Sequence, residues 1–251
     1  MEFLKHLFRN EPDFFGSIVG TWYQIALIPT LIFFVFLTMY MCKKGMGERN
    51  LKIFAWVLLI EQIIENIWFW TAPYLADPLP LYHCRIAKIF LPLIVLFFPK
   101  VKGLKYFSVT IGIFGSIIAF LYPSMDPFAF PHFTNFGFYI THGLICIISV
   151  NIIVLEDLRL SRSIVWKTQG YMLCFNIIVC IIAHMRNENY AFFLQPPLMR
   201  EFFESIGHYP YVVILFMCYA LAVFLSAGLW KAINTWMERV NTDECTCNGS
   251  L

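Results

Sequence analysis

The chain alternates long apolar runs with short polar or proline-rich breaks. Seven runs are long enough to be read as membrane-spanning helices, since about 20 residues at 1.5 Å each cross the hydrocarbon core. They cover Trp22–Cys42, Leu51–Tyr74, Tyr82–Phe98, Phe107–Leu121, Phe136–Leu155, Gln169–His184 and Tyr209–Trp230. The breaks include Lys43–Asn50, Pro73–Pro80 and Pro123–Pro131. No internal repeat or low-complexity tract divides the chain. The expected fold is all-α: one polytopic seven-helix transmembrane bundle over 22–235, with an interfacial segment at 1–21 and a short cytoplasmic tail at 236–251. In the N-terminal segment, Phe3, Leu4, Leu7 and Phe8 interleave with charges, the pattern of a helix lying on a membrane surface. No cleavable signal peptide is evident in it.

Composition supports this picture. Of 251 residues 59% are hydrophobic and only 14% charged, and mean hydropathy is +0.68; a soluble domain carries about 25% charged residues. The net charge of +2 gives no sign of a nucleic-acid partner. Cationic residues set the orientation. With the N-terminus outside, the inner segments hold twelve Lys and Arg and the outer segments four, while Arg85 and Lys88 lie inside the third run. The expectation is N-out and C-in. That orientation places the Asn248-Gly249-Ser250 sequon inside, where it is a chance match. Five of the eight cysteines sit in apolar runs and pack as small hydrophobes; Cys245 and Cys247 form a C-x-C in the tail.

Ionisable groups inside spans are costly and mark function. Glu61 and Glu65 lie one turn apart on the second run. The third opens with His83, Cys84, Arg85 and Lys88. His132 precedes the fifth, which carries Thr141-His142-Gly143. The sixth ends near His184 and is followed by Asn187-Glu188-Asn189-Tyr190. On this topology all of them come to the outer half of the bundle. Glu61 and Glu65 can pair with Arg85 and Lys88 across neighbouring helices, beside a site or in place of one. A thiol near cations and histidines is activated as a nucleophile, and a cysteine with a histidine is the minimum apparatus for covalent acyl transfer. The depth of Cys84 and His142, not their spacing, brings them together. No metal-ligand spacing joins His83, Cys84, His132 and His142, so neither metal nor cofactor is expected.

The order of these motifs resembles a known family. A glutamate-bearing second span is followed by Leu79-Pro80-Leu81-Tyr82-His83-Cys84, Phe130-Pro131-His132-Phe133 and His142-Gly143. Asn187 to Leu194 and Gly207-His208-Tyr209-Pro210-Tyr211 complete the series. This is similar to the YwaF-type integral membrane proteins of bacteria, relatives of transmembrane protein 164, over roughly Trp22 to Leu225. Two departures stand out: the family's histidine two residues before the cysteine is Tyr82 here, and His208 and Tyr209 replace a Pro-Trp pair. The resemblance implies a bacterial plasma-membrane protein that moves fatty acyl chains between phospholipids and lysophospholipids. Cys84 would be its nucleophile and His142 its base. Glu65, Arg85, Lys88, His132, Asn187 and Tyr190 would line the substrate site. A hydrolase at the same site, or an ion-coupled transporter built on the Glu/Arg cluster, are the alternatives.

Overall fold

A computed structural model describes residues 2–13, 18–19, 23–71, 79, 81–121, 123–156 and 161–248. Trp22, Tyr74, Asp157, Arg159, Gly249 and Ser250 lie outside them, as do the side chains of Cys245 and Cys247. In chain order the helices are α1 (Glu2–Leu7), α2 (Tyr23–Met41), α3 (Gly47–Thr71), α4 (His83–Leu96), α5 (Lys102–Leu121), α6 (Phe133–Glu156), α7 (Arg162–Arg186), α8 (Arg200–Ile206) and α9 (His208–Asn248). Two short strands, β1 (Ile18–Val19) and β2 (Ser124–Met125), pair antiparallel.

The protein is an integral membrane protein built of helices. Five helical stretches among the described residues are long and apolar enough to cross a membrane: Leu31–Thr71, Lys102–Leu121, Phe133–Leu155, Arg162–Arg186 and His208–Trp236. Their outward faces carry large apolar side chains such as Phe33, Trp70, Ile181 and Met217, a surface suited to lipid.

The count differs from seven for two physical reasons. First, the 41-residue stretch Leu31–Thr71 contains a break. Gly45 has φ +76° within the π-helical turn Cys42–Met46, a conformation that glycine alone adopts without strain. Contacts with α6 show what the break does. A Cβ on Gly143 would lie 3.8 Å from Leu31, and Cys42 donates to Asn151 Oδ1 at 2.5 Å, so α2 advances with α6. Gly47 meets Leu155, and Glu61 comes 3.0 Å from where a Cβ on Gly137 would stand, so α3 runs back. The two helices form a hairpin. Second, α4 has 14 residues, about 21 Å of helix against a hydrocarbon core of about 30 Å. Phe97 and Phe98 extend the apolar run beyond the helix without extending the helix.

Elsewhere the helices outrun their apolar cores. α7 starts at Arg162, where the Ser161 hydroxyl accepts from the Ile164 N–H at 3.3 Å and caps the first turn. α9 continues through the expected tail boundary at 235 to Asn248.

α5 and α6 are the most enclosed elements. Close approach there depends on missing side chains, the usual device where lipid removes the hydrophobic drive between helices. A Cβ on Gly112 would meet Ser149 Oγ at 2.7 Å, Ile145 Cγ2 at 3.0 Å and Leu91 Cδ1 at 3.2 Å. Gly112 therefore sets the spacing of α4, α5 and α6. α3 and α4 are antiparallel, joined by Trp56 against Phe97 at one end and by Lys88 with Glu61 and Glu65 further up. The end where α3 finishes and α4 begins is called the upper end below.

Candidate functional site

Cys84 occupies the first turn of α4. Tyr82, the N-cap, is extended and offers no side-chain cap. The first backbone bond of the helix runs from the Ile86 N–H to the Tyr82 carbonyl at 3.0 Å. The preceding N–H groups have no carbonyl a turn earlier to bond. Opposite stands Gly115 of α5, where a Cβ would come 3.3 Å from the Cys84 Cβ. A glycine there leaves the half-buried cysteine room.

One turn along α4 lies the ammonium of Lys88. It is 3% exposed and 2.5 Å from both Glu61 Oε2 and Glu65 Oε2. A lone charge at this depth would cost several kcal/mol, of order 3–5 if one partner of such a set were removed. The triad leaves one excess negative charge. Arg85 stands three residues before Lys88, its guanidinium 5.3 Å from the Phe69 ring centroid and 5.8 Å from that of Tyr82.

Asp126, in the loop after β2, belongs to the same field. Burial pushes its carboxyl up to about 6; Arg85 and Lys88 pull it down and Glu65 pushes it up. Hydropathy does not mark this residue, and only tertiary contact brings it to the cluster. Asn176 was equally invisible. Its Oδ1 accepts from His83 Nε2 at 2.8 Å. The His83 ring also lies 4.2 Å from Tyr219 and 5.1 Å from Phe175. His83 thus fastens α4 to α7 and α9.

His142, on α6, is buried. Its Nδ1 bonds the Phe138 carbonyl at 2.7 Å. A carbonyl can only accept, so Nδ1 carries the proton and Nε2 keeps its lone pair. The charges that His142 feels are Lys88, Glu65 and Arg85; those that Cys84 feels are Arg85 and Lys88. The two residues therefore share a neighbourhood. Among the described residues no hydrogen bond joins them.

The other residues expected at a substrate site hold the upper end together. His132 is fully buried, its ring stacked 3.8 Å from Phe128. Nδ1 accepts from the Thr134 hydroxyl at 2.7 Å and Nε2 donates to the Arg9 carbonyl at 3.1 Å. Arg9 in turn donates to the carbonyls of Ala129 at 2.7 Å and Pro131 at 3.1 Å, tying the N-terminal segment to the loop before α6. Asn187 ends α7 in the left-handed conformation, φ 55°. Tyr190 is buried against Tyr82, ring centroids 6.3 Å apart. Beside it Asn189 accepts from the N–H groups of Leu194 and Gln195 at 3.0 and 2.9 Å, while its carbonyl accepts from the Tyr82 hydroxyl at 3.1 Å. This loop reaches the start of α4 through Tyr82. Asn66, near the end of α3, is exposed and accepts from Gln62 at 2.7 Å.

These features define a helical integral membrane protein with a polar, partly ionised cluster at the head of a short helix. The chain belongs to the TMEM164 family, whose family model matches residues 17–227. The relation to transmembrane protein 164 expected from the order of motifs is thereby borne out. No curated protein and no solved structure matched the chain in the corresponding searches.

Proposed function

We propose that the protein is a membrane phospholipid acyltransferase working through a thioester on Cys84, with His142 as general base. The observation that carries this reading is the position of Cys84. Its sulfur sits in the first turn of a helix whose start has no side-chain cap, with Arg85 and Lys88 next on the same helix. Unbonded N–H groups at a helix start are suited to stabilise an oxyanion. His142 contributes an Nε2 free to take a proton.

In the first half-reaction His142 takes the Cys84 proton and the thiolate adds to an ester carbonyl of a phospholipid. The carbon–oxygen bond breaks. The departing lysophospholipid oxygen receives the proton from His142, leaving the acyl chain on sulfur. In the second half-reaction another lysophospholipid gives its hydroxyl proton to His142 and attacks the thioester, and Cys84 regains its proton. Arg85 holds the donor phosphate. Lys88 holds Glu61 and Glu65 together, and the second carboxylate keeps the cluster charged. His132, Asn187 and Tyr190 shape the roof. His142 must approach Cys84 when lipid binds, as catalytic hydrogen bonds commonly tighten only in the substrate complex.

The finer architecture goes with this reading. The α2–α3 hairpin gives two spans and the short α4 a third, completing seven with the N-terminus outside. The membrane is the plasma membrane of a bacterium.

The test is lipid mass spectrometry on protein reconstituted with a phospholipid and a lysophospholipid of different headgroups. Acyl chains moving between headgroups, abolished in Cys84→Ala, support the transferase. Free fatty acid instead makes the protein a hydrolase. Turnover that survives Cys84→Ala removes the thioester, and solute flux lost only in Glu61→Gln makes it a transporter.

A further inference from the structure

A second group of potential ligands lies at the upper end, apart from the cysteine cluster. His184 is in the last turn of α7 and His208 is the first residue of α9. Both are exposed. Their Nε2 atoms are 3.0 Å apart, with ring centroids 5.2 Å apart and planes inclined at 64°. We propose that His184 and His208 form a binding site for a borderline divalent transition-metal ion such as Zn²⁺.

Three observations converge on this. The separation fits: two imidazole nitrogens at about 2.0–2.1 Å from a tetrahedral Zn²⁺ stand about 3.3 Å apart, so the pair needs to open by only ~0.3 Å. The tautomer fits too. His184 Nδ1 bonds the Cys180 carbonyl at 2.7 Å, so Nδ1 carries the proton and Nε2 presents its lone pair toward His208. A backbone carbonyl on the far nitrogen is the usual outer-shell arrangement of a metal-bound histidine. Finally, both rings are exposed at the ends of their spans. Without metal, His208 Nε2–H donates to His184 Nε2. Exchange with solvent moves that proton to His208 Nδ1, leaving two neutral Nε2 ligands and no net proton change. The Cys180 sulfur, 3.8 Å from His184 Nδ1, is on the opposite side of the ring and takes no part. Among the described residues no third His, Cys, Asp or Glu completes a set. Water fills the remaining positions, and binding by two imidazoles favours Zn²⁺, Ni²⁺ or Cu²⁺ over Mg²⁺ or Ca²⁺. The ion would join the end of α7 to the start of α9, across the 187–207 connection that contacts Tyr82.

The experiment uses the full chain without a polyhistidine tag, purified in detergent and stripped with a chelator. Zn²⁺ is titrated calorimetrically into wild type, His184→Ala, His208→Ala and, as a surface-histidine control, His6→Ala. The expected result is one ion per chain, with affinity at least tenfold weaker in either site variant and unchanged in His6→Ala. Absence of saturable binding, or binding equal in both site variants and wild type, overturns the proposal. Co²⁺ added to wild type gives an independent reading that needs no variant to fold. The visible absorption of nitrogen-ligated Co²⁺ supports the site, and a spectrum identical to aqueous Co²⁺ overturns it.

Discussion

Two histidines a short distance apart in sequence occupy opposite situations. His132 is enclosed in a knot of loop, N-terminal segment and aromatic rings, and both of its ring nitrogens are bonded. His142 is equally enclosed, yet only Nδ1 is bonded, and its charged neighbours are those of Cys84. Burial does not distinguish them; completeness of hydrogen bonding does. A fully bonded histidine holds structure, whereas one with a free nitrogen beside ionised groups can move a proton.

The contrast can be broken most sharply at His142. His142→Gln should lower acyl transfer by about 10²–10⁴-fold, the usual worth of a general base, with little change in melting temperature. If activity stays within threefold, His142 is not the base.

Lys88→Met comes next. Removing the ammonium leaves Glu61 and Glu65 facing each other without a counterion, and should cost about 3–5 kcal/mol of stability. Combining it with Glu61→Gln and Glu65→Gln should recover much of that loss in thermal unfolding. No recovery would show that the triad does not act as a charge set.

His132→Ala should cost about 1–3 kcal/mol through the lost bonds to Thr134 and Arg9, while thioester formation in the folded fraction proceeds at the wild-type rate. A selective loss of chemistry would give His132 a direct part in the reaction.

The smallest effect is in pH. Burial holds His132 down at about 4, against an ordinary value of 6.5. As pH falls from 6.5 toward 4 the unfolded chain takes up the proton first, so stability is present above that window and lost across it. His132→Gln should flatten this part of the melting-temperature profile. An unchanged slope would assign the acid sensitivity elsewhere.

Much of the bundle was legible in the order of residues. Apolar runs located the helices, and the Lys43-Lys44-Gly45 break marked the turn of the α2–α3 hairpin. Glu61, Glu65 and Lys88 could be expected to pair because each would be costly alone at its depth. The length of α4 was not legible, since Phe97 and Phe98 are as apolar as the helix they follow. Nor was Asp126, a loop carboxylate whose place depends on how a connection folds over the bundle. Distinguishing His132 from His142 needs the position of every donor and acceptor around each ring, and no spacing rule encodes that. The resemblance directed attention to Cys84; the uncapped first turn of α4 is the physical reason to propose it as the nucleophile.

The central claim is that Cys84 carries an acyl chain. The most direct measurement is intact-protein mass spectrometry after incubation with phospholipid, wild type beside Cys84→Ala. The account predicts a fatty-acyl mass increment on wild type that hydroxylamine removes and that Cys84→Ala lacks. An increment of the same size on Cys84→Ala, or none on a wild-type protein that is moving acyl chains, would contradict it.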